Sequence, residues 1–297
     1  MDGYKKIINN RHTRMAILNL MRIIPDKQML KLEYWIKFKR ILNLKHPKRF
    51  TEKIQSYKLN FRTESMVVCS DKHLVREYVK GKGFGNILNE QYCVFDTVEE
   101  IDLSKLPQKF VLKLSNGSGT NFICKDKSKI NVDELKKKFS RYLLQVKANA
   151  GREWPYTQVK PVVVAERFLE DPERDNGSIN DYKIFCYNGK AEYVICISNR
   201  YTDKVNHLVY DTNWVKQLVA SEGARINEDE PRPDNLDEML KIAESLSEEF
   251  PFARIDLYSI QGKIYFGEIT FFPWSGFMEF EPDEFDFVLG EKFTYYQ

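Results

Sequence analysis

The 297-residue chain is poor in the residues that build metal and disulfide frameworks. It has five cysteines, Cys69, Cys93, Cys124, Cys186 and Cys196, none in a C-x-x-C pair. An odd, scattered set points to reduced thiols and excludes a disulfide scaffold or zinc ribbon. The four histidines, His12, His46, His73 and His207, are too far apart in sequence to suggest a metal cluster. No glycine loop ends in Gly-Lys-Ser/Thr, and none opens a helix after a strand, so neither a Walker loop nor a dinucleotide fingerprint is present. No Ser-His-Asp order or Cys-His pattern calls for a covalent enzyme intermediate. The longest apolar stretch near the N-terminus, Met15 to Ile24, is broken by Arg22 and followed by Pro25-Asp26-Lys27. It is too short and too charged to span a bilayer, and it lacks the small-residue cleavage site of a signal peptide. A cytoplasmic protein is expected. Repeats and low-complexity tracts are absent too.

What is present is enough apolar material for a sizeable core: 42% hydrophobic and 13% aromatic residues. At roughly 150 residues per domain the length suggests about two domains. The net charge of +3 hides an asymmetry. Residues 1–60 hold 15 Lys+Arg against 4 Asp+Glu, a net of +11, and the remainder is net −8. An N-terminal part this basic suggests an anionic partner: a membrane surface, a lipid-linked glycan, or simply the next domain. Nucleic acid is not expected.

Periodicity predicts two helices within 14–44, divided at Pro25, with basic and aromatic exposed faces. Further helices are expected over Thr51 to Leu59, Asp71 to Val79, Val132 to about Lys147, and Asn235 to about Glu249. Residues 96–109 predict a short helix and turn. Strands are expected at Cys93 to Phe95 and Val162 to Phe168. Two hairpins are strongly marked, Lys183 to Ser198 through Asn188-Gly189 and Arg254 to Thr270 through Gln261-Gly262. A third runs from Val111 to Lys127 around Ser115-Asn116-Gly117-Ser118-Gly119-Thr120. Segments 170–180 and 221–234 are polar and predict loops. The fold class is α+β.

Some polar residues sit where strands should be apolar. Lys113 precedes the glycine loop, whose Gly117 and Gly119 allow backbone N–H groups to aim at an anion. A hairpin with a solvated lysine fits the same residues. Asp256 and Glu268 interrupt the two apolar strands of one hairpin. Side by side they repel unless a cation lies between them, and Mg²⁺ held by carboxylates usually takes substrate phosphates as further ligands. The other reading is that each faces solvent or pairs with Arg254 or Lys263. Lys183, Glu166 and Arg200 complete a set of charges on sheet faces that suits a triphosphate.

The order of these elements resembles the ATP-grasp fold. From about residue 43 onward the chain resembles the TupA-like ATP-grasp family of bacterial surface-polysaccharide clusters. The likeness is carried by His46 to Ile54 (HPKRFTEKI), Asp71-Lys72 with Val75 to Val79, Phe110 to Lys113 with Gly117-Ser118-Gly119, and Gly151 to Trp154. It continues in Ala165 to Glu170 (AERFLE), Asp181 to Gly189 (DYKIFCYNG), Pro251 to Tyr258 (PFARIDLY) and Gly267 to Thr270 (GEIT). The resemblance implies two α+β lobes holding ATP between them, after a basic helical N-terminal region. It divides the chain into 1–70, 71–109, 110–170 and 171–297.

The resemblance further implies roles. Lys72 and Lys113 contact ATP, and the loop with Ser115, Asn116, Gly117, Ser118 and Gly119 closes over its phosphates. Glu166, Arg167, Phe168 and Leu169 form the adenine hinge. Asp181 and Lys183 lie near an acyl phosphate, with Arg200 on the substrate side. Asp256 and Glu268 hold Mg²⁺, and Thr270 stands where these ligases commonly carry an asparagine ligand. The implied chemistry is ATP-dependent activation of a carboxylate and its capture by an amine, here an amino acid or amine joined to a sugar acid in capsule, O-antigen or teichuronic-type polymer assembly. The alternatives are a glycosyltransferase, against which the lack of any Asp-x-Asp counts, a glycan kinase using the same ATP site, and a non-catalytic scaffold.

Overall fold

The computed structural model describes residues 21–174, 177–199, 205–221 and 229–295. The first predicted helix lies almost wholly outside them, as does Arg200. By contact the chain forms two compact units, Thr63–Leu169 and a discontinuous one of Met1–Arg62 with Glu170–Gln297.

The continuous unit begins with two short helices, α3 (Glu64–Ser70) and α4 (Val75–Gly81). A single helix over Asp71 to Val79 was expected, but the chain turns at Asp71, whose Oδ1 accepts from the backbone N–H groups of His73 and Leu74. Such an Asx turn competes with helix and delays it to Val75. Helix α3 was not predicted; its signal was Thr63, whose side chain caps Met66 N. The predicted helix in 96–109 is one 3₁₀ turn, Leu103–Lys105, capped by Asp102. A four-stranded antiparallel sheet follows, in the order β1-β4-β2-β3. Its strands are β1 (Gln91–Phe95), β2 (Phe110–Leu114), β3 (Asn121–Cys124) and β4 (Val163–Arg167). Helix α5 (Val132–Ala148), capped by Asn131, packs Leu135 and Phe139 onto Phe110, Leu112, Leu114 and Val163.

The discontinuous unit is built on a five-stranded antiparallel sheet, order β10-β9-β5-β6-β7. These are β5 (Asp181–Tyr187), β6 (Lys190–Ser198), β7 (Asn206–Asp211), β9 (Phe252–Ile260) and β10 (Lys263–Thr270); a two-stranded ribbon pairs β8 (Ala220–Ser221) with β11 (Phe280–Glu281). The two marked hairpins form as expected. Asn188 and Gly189 have φ of 49° and 75°, Gln261 and Gly262 50° and 75°, the left-handed pair that a two-residue turn requires.

Strand β5 is buried on both faces. One face meets α6 (Leu236–Ser247), whose Leu236, Met239, Ile242 and Leu246 are buried. On the other, Phe185, Tyr187 and Phe252 surround Phe50 of α2 (Phe50–Asn60). Asp286 of α7 (Phe285–Lys292) accepts from both the backbone N–H and the hydroxyl of Thr51, and so ties α7 to the start of α2. Helix α1 (Asp26–Phe38) follows Pro25, as predicted, and ends at Lys39 in the left-handed region. Among the described residues no helix is long and apolar enough to cross a membrane.

Candidate active site

Period-two alternation places the charges. In β5, Asp181, Lys183, Phe185 and Tyr187 share a face; in β9, Phe252, Arg254 and Asp256 do. Each face is aromatic at one end, around Phe50, and charged at the other. Lys183 stands opposite Asp256 in the β5–β9 register, and Glu268 opposite Asp256 across β9–β10. A bulge between Phe266 and Glu268 permits this second pairing. Gly267 fills the bulge, since a Cβ there would lie 2.9 Å from the Asp256 carbonyl oxygen.

The resulting cluster is dense. Lys183 Nζ donates to Asp256 Oδ2 and lies 2.9 Å from Asp181 Oδ2. Arg254 grips Asp256 with a fork, Nε to Oδ1 at 2.6 Å and Nη2 to Oδ2 at 2.8 Å. Its Nη2 also donates to Glu268 Oε1 at 3.1 Å and Thr270 Oγ1 at 3.0 Å. Asp181, Lys183, Arg254 and Asp256 are all buried. Burial alone would lower the Arg254 pKa, but the Asp256 charge and hydrogen bonds outweigh it and hold the guanidinium above its ordinary value. Asp256 thus takes the pairing with Arg254 that the sequence left open. Two carboxylates and a hydroxyl are hard oxygen donors of the kind Mg²⁺ accepts. Asp256, Glu268 and Thr270 could hold it where Arg254 now bridges them.

Arg254 also faces Trp274, 5.3 Å from the ring centroid. Trp274 belongs to a turn, Pro273–Gly276, that no sequence motif above marks. Trp274, Ser275 and Gly276 have φ of 48°, 55° and 72°. Helix α2 holds this turn: Gln55 Nε2 donates to the carbonyls of Ser275 and Gly276, each at 3.0 Å, and the buried Lys58 Nζ donates to Ser275 O at 2.9 Å. The signal was available in the Pro-Trp-Ser-Gly run that starts five residues beyond Glu268 and in a lysine and a glutamine on the buried face of α2.

In the other unit, Lys113 and Glu166 form an ion pair of 2.7 Å. Lys113 opposes Val164 and Val111 opposes Glu166, so the pair lies diagonally on one face of β2–β4. Burial pushes the Glu166 carboxyl up, but Lys113, with Arg76 and Lys72, pulls harder and holds it below the ordinary range. Lys72 is bound to the glycine loop, its N–H to Ser115 O at 2.7 Å and its Nζ to Gly117 O at 2.9 Å. Ser115 is fixed to Val162 by two hydrogen bonds, and Asn116 Nδ2 donates to Tyr156 O. Ser118 and Gly119 alone in the loop are exposed. Asn116 Oδ1 and Thr120 Oγ1 are buried and make no hydrogen bond. At the end of β4, Arg167 N–H and carbonyl are taken by Glu90 and Asn89. Phe168 lies under Lys125 Nζ at 5.8 Å, and Leu169 ends the unit.

Gly117 is required by contact, not by φ. A Cβ there would meet Thr120 Oγ1 at 2.4 Å and Cγ2 at 2.8 Å. Gly117→Ala is expected to cost about 1–3 kcal/mol, the range for overpacking. Adding Thr120→Ala should recover most of it. Chemical denaturation of both variants checks this, and equal losses would show that the loop is not closely packed there.

Several solved structures are similar to this chain. D-alanine–D-alanine ligase from Bacillus anthracis, complexed with ATP, is 16% identical over 68% of this chain and 53% of its own, with a TM-score of 0.40. L-amino acid ligase from Bacillus licheniformis is 16% identical over 86% and 57%, TM-score 0.46. D-alanine–D-alanine ligase from Helicobacter pylori is 14% identical over 83% and 70%, TM-score 0.41. The chain spans about half the length of the first of these. No curated protein matches it by sequence. The family model of the TupA-like ATPgrasp proteins matches residues 52–294, and the chain belongs to that family.

Proposed function

We propose that the protein is an ATP- and Mg²⁺-dependent carboxylate–amine ligase. Its substrates are a sugar acid and an amino acid or other amine, joined during assembly of a bacterial surface polysaccharide, in the cytoplasm and at the inner face of the membrane. The observation that carries the reading is the buried charge cluster of Asp181, Lys183, Arg254 and Asp256. Well-packed apolar residues would stabilise a sheet at least as well, so a cluster of this kind is retained for chemistry. Mg²⁺ bound at Asp256 and Glu268 would supply charge neutralisation for the transferring phosphoryl group. Lys183 is a fixed cation that favours the negative charge developing on the acyl phosphate, and Arg254 would yield Asp256 and Glu268 to the Mg²⁺. Lys72, Lys113 and the 115–120 loop bind the nucleotide phosphates, and Glu166 to Leu169 its base. Arg200, outside the described residues, takes the substrate side.

The test is a product assay. Purified protein is incubated with ATP, Mg²⁺ and a panel of uronic acids, each with and without amines and amino acids. ADP and phosphate release that needs both acid and amine, with an amide product, is the expected result. A phosphorylated glycan formed without amine would make the protein a kinase. Tight binding of a UDP-sugar with no affinity for ATP would make it a glycosyltransferase.

A further inference from the structure

Helix α1 buries one face and leaves the other uncovered. Met29, Leu30 and Tyr34 pack inward, Leu30 and Tyr34 against Leu42 and Phe277. The outward face carries Lys27, Lys31, Leu32 and Trp35, and Lys39 follows at the C-cap. Leu32 is 39% and Trp35 52% exposed, with Ile23 and Ile41 exposed beyond either end. Lys39 Nζ lies 4.9 Å above the Trp35 ring. On the adjoining flank the cations are neutralised, Lys37 by Glu279 at 2.7 Å and Arg40 by Asp283 at 2.8 Å. Lys27, Lys31 and Lys39 make no ion pair among the described residues.

We infer that this face of α1 is a docking surface for an anionic lipid bilayer. The inference gives the membrane location proposed above a named surface, but it stands on α1 and not on the ligase chemistry. A tryptophan and a leucine flanked by lysines match the headgroup boundary, where the indole settles and lysine stems lie along apolar surface with their charges among lipid phosphates. One face of a 13-residue helix, about 20 Å long and about 10 Å wide, falls well short of the roughly 800 Å² per partner that a stable protein interface buries. Its unneutralised charge is all positive, which repels a second copy of itself.

The experiment is co-sedimentation of the full-length protein with phosphatidylcholine vesicles, with and without about one-third phosphatidylserine, at low and high salt. The expected result is binding to the anionic vesicles alone, lost at high salt. Lys31→Glu/Lys39→Glu should weaken it by about fivefold or more per charge removed. Trp35→Ser/Leu32→Ser should weaken it by about tenfold. Both variants should keep the wild-type melting temperature and nucleotide turnover on soluble substrates, so a failed ligase assay leaves this result standing. Absence of wild-type binding at low salt overturns the inference, as do variants that bind like wild type. A dimer in sedimentation velocity that the Trp35→Ser/Leu32→Ser variant abolishes would assign the face to self-association instead.

Discussion

Replacing Arg254 with methionine is expected to destabilise the five-stranded unit by about 3–5 kcal/mol, the loss typical of breaking a buried ion pair. Asp256 would keep Lys183 but lose the fork on both its oxygens, and Glu268 and Thr270 would lose the donor that bridges them. A drop in melting temperature of about 10 °C corresponds to this. Lysine is a poor substitute, because one ammonium cannot reach Asp256, Glu268 and Thr270 together. The vacated carboxylates give the prediction a second readout. With their resident cation gone, Asp256 and Glu268 should take Mg²⁺ more readily, so millimolar Mg²⁺ should raise the melting temperature of Arg254→Met more than that of wild type. Differential scanning fluorimetry over a Mg²⁺ series measures both. A variant as stable as wild type, or one with the same Mg²⁺ response, would show that Arg254 does not hold the carboxylate pair.

How far this cluster was legible in the sequence depends on the kind of signal. The hairpins were legible because Asn-Gly and Gln-Gly turns flanked by alternating residues admit few other structures, and they brought Asp256 near Glu268. The fold class followed from such local signals in order. The contacts of Arg254 were not legible. Period two puts it on the face of Asp256, but whether it turns to Asp256 or to solvent depends on what covers the sheet, here Phe50 and the Pro273–Gly276 turn. The second of these depends in turn on Gln55 and Lys58, more than 200 residues away in sequence. The start of α4 was misplaced for a local reason, since Asp71 was read as a helix-opening acid when it closes a turn first. Lys113 and Glu166, 53 residues apart, both stand out in the sequence, Lys113 as a charge inside an apolar strand and Glu166 as one that ends an apolar strand. Their diagonal pairing needed the β2–β4 register, which no local pattern states.

That pair leads to the second large effect. Lys113→Met should weaken ATP binding at least tenfold, if Lys113 is a phosphate contact as proposed, and also destabilise its unit by about 3 kcal/mol by leaving Glu166 buried without its partner. The two losses separate in a second variant. Adding Glu166→Gln removes the orphaned charge, so the double variant should regain most of the stability and none of the nucleotide affinity. Acid titration supplies a third check with a definite sign. Glu166 ionises below its ordinary value of 4.5 in the folded protein, so it contributes stability above that pH that is lost as pH falls through the folded value. In Lys113→Met, burial is opposed by Arg76 and Lys72 without the nearest cation, and the carboxyl should ionise higher. The stability gap between wild type and variant should therefore be widest near neutral pH and narrow below about pH 4.5. A gap that stays constant across this range, in urea melts at pH 7 and pH 4, would mean that Lys113 stabilises the sheet by packing and that its bond to Glu166 contributes little.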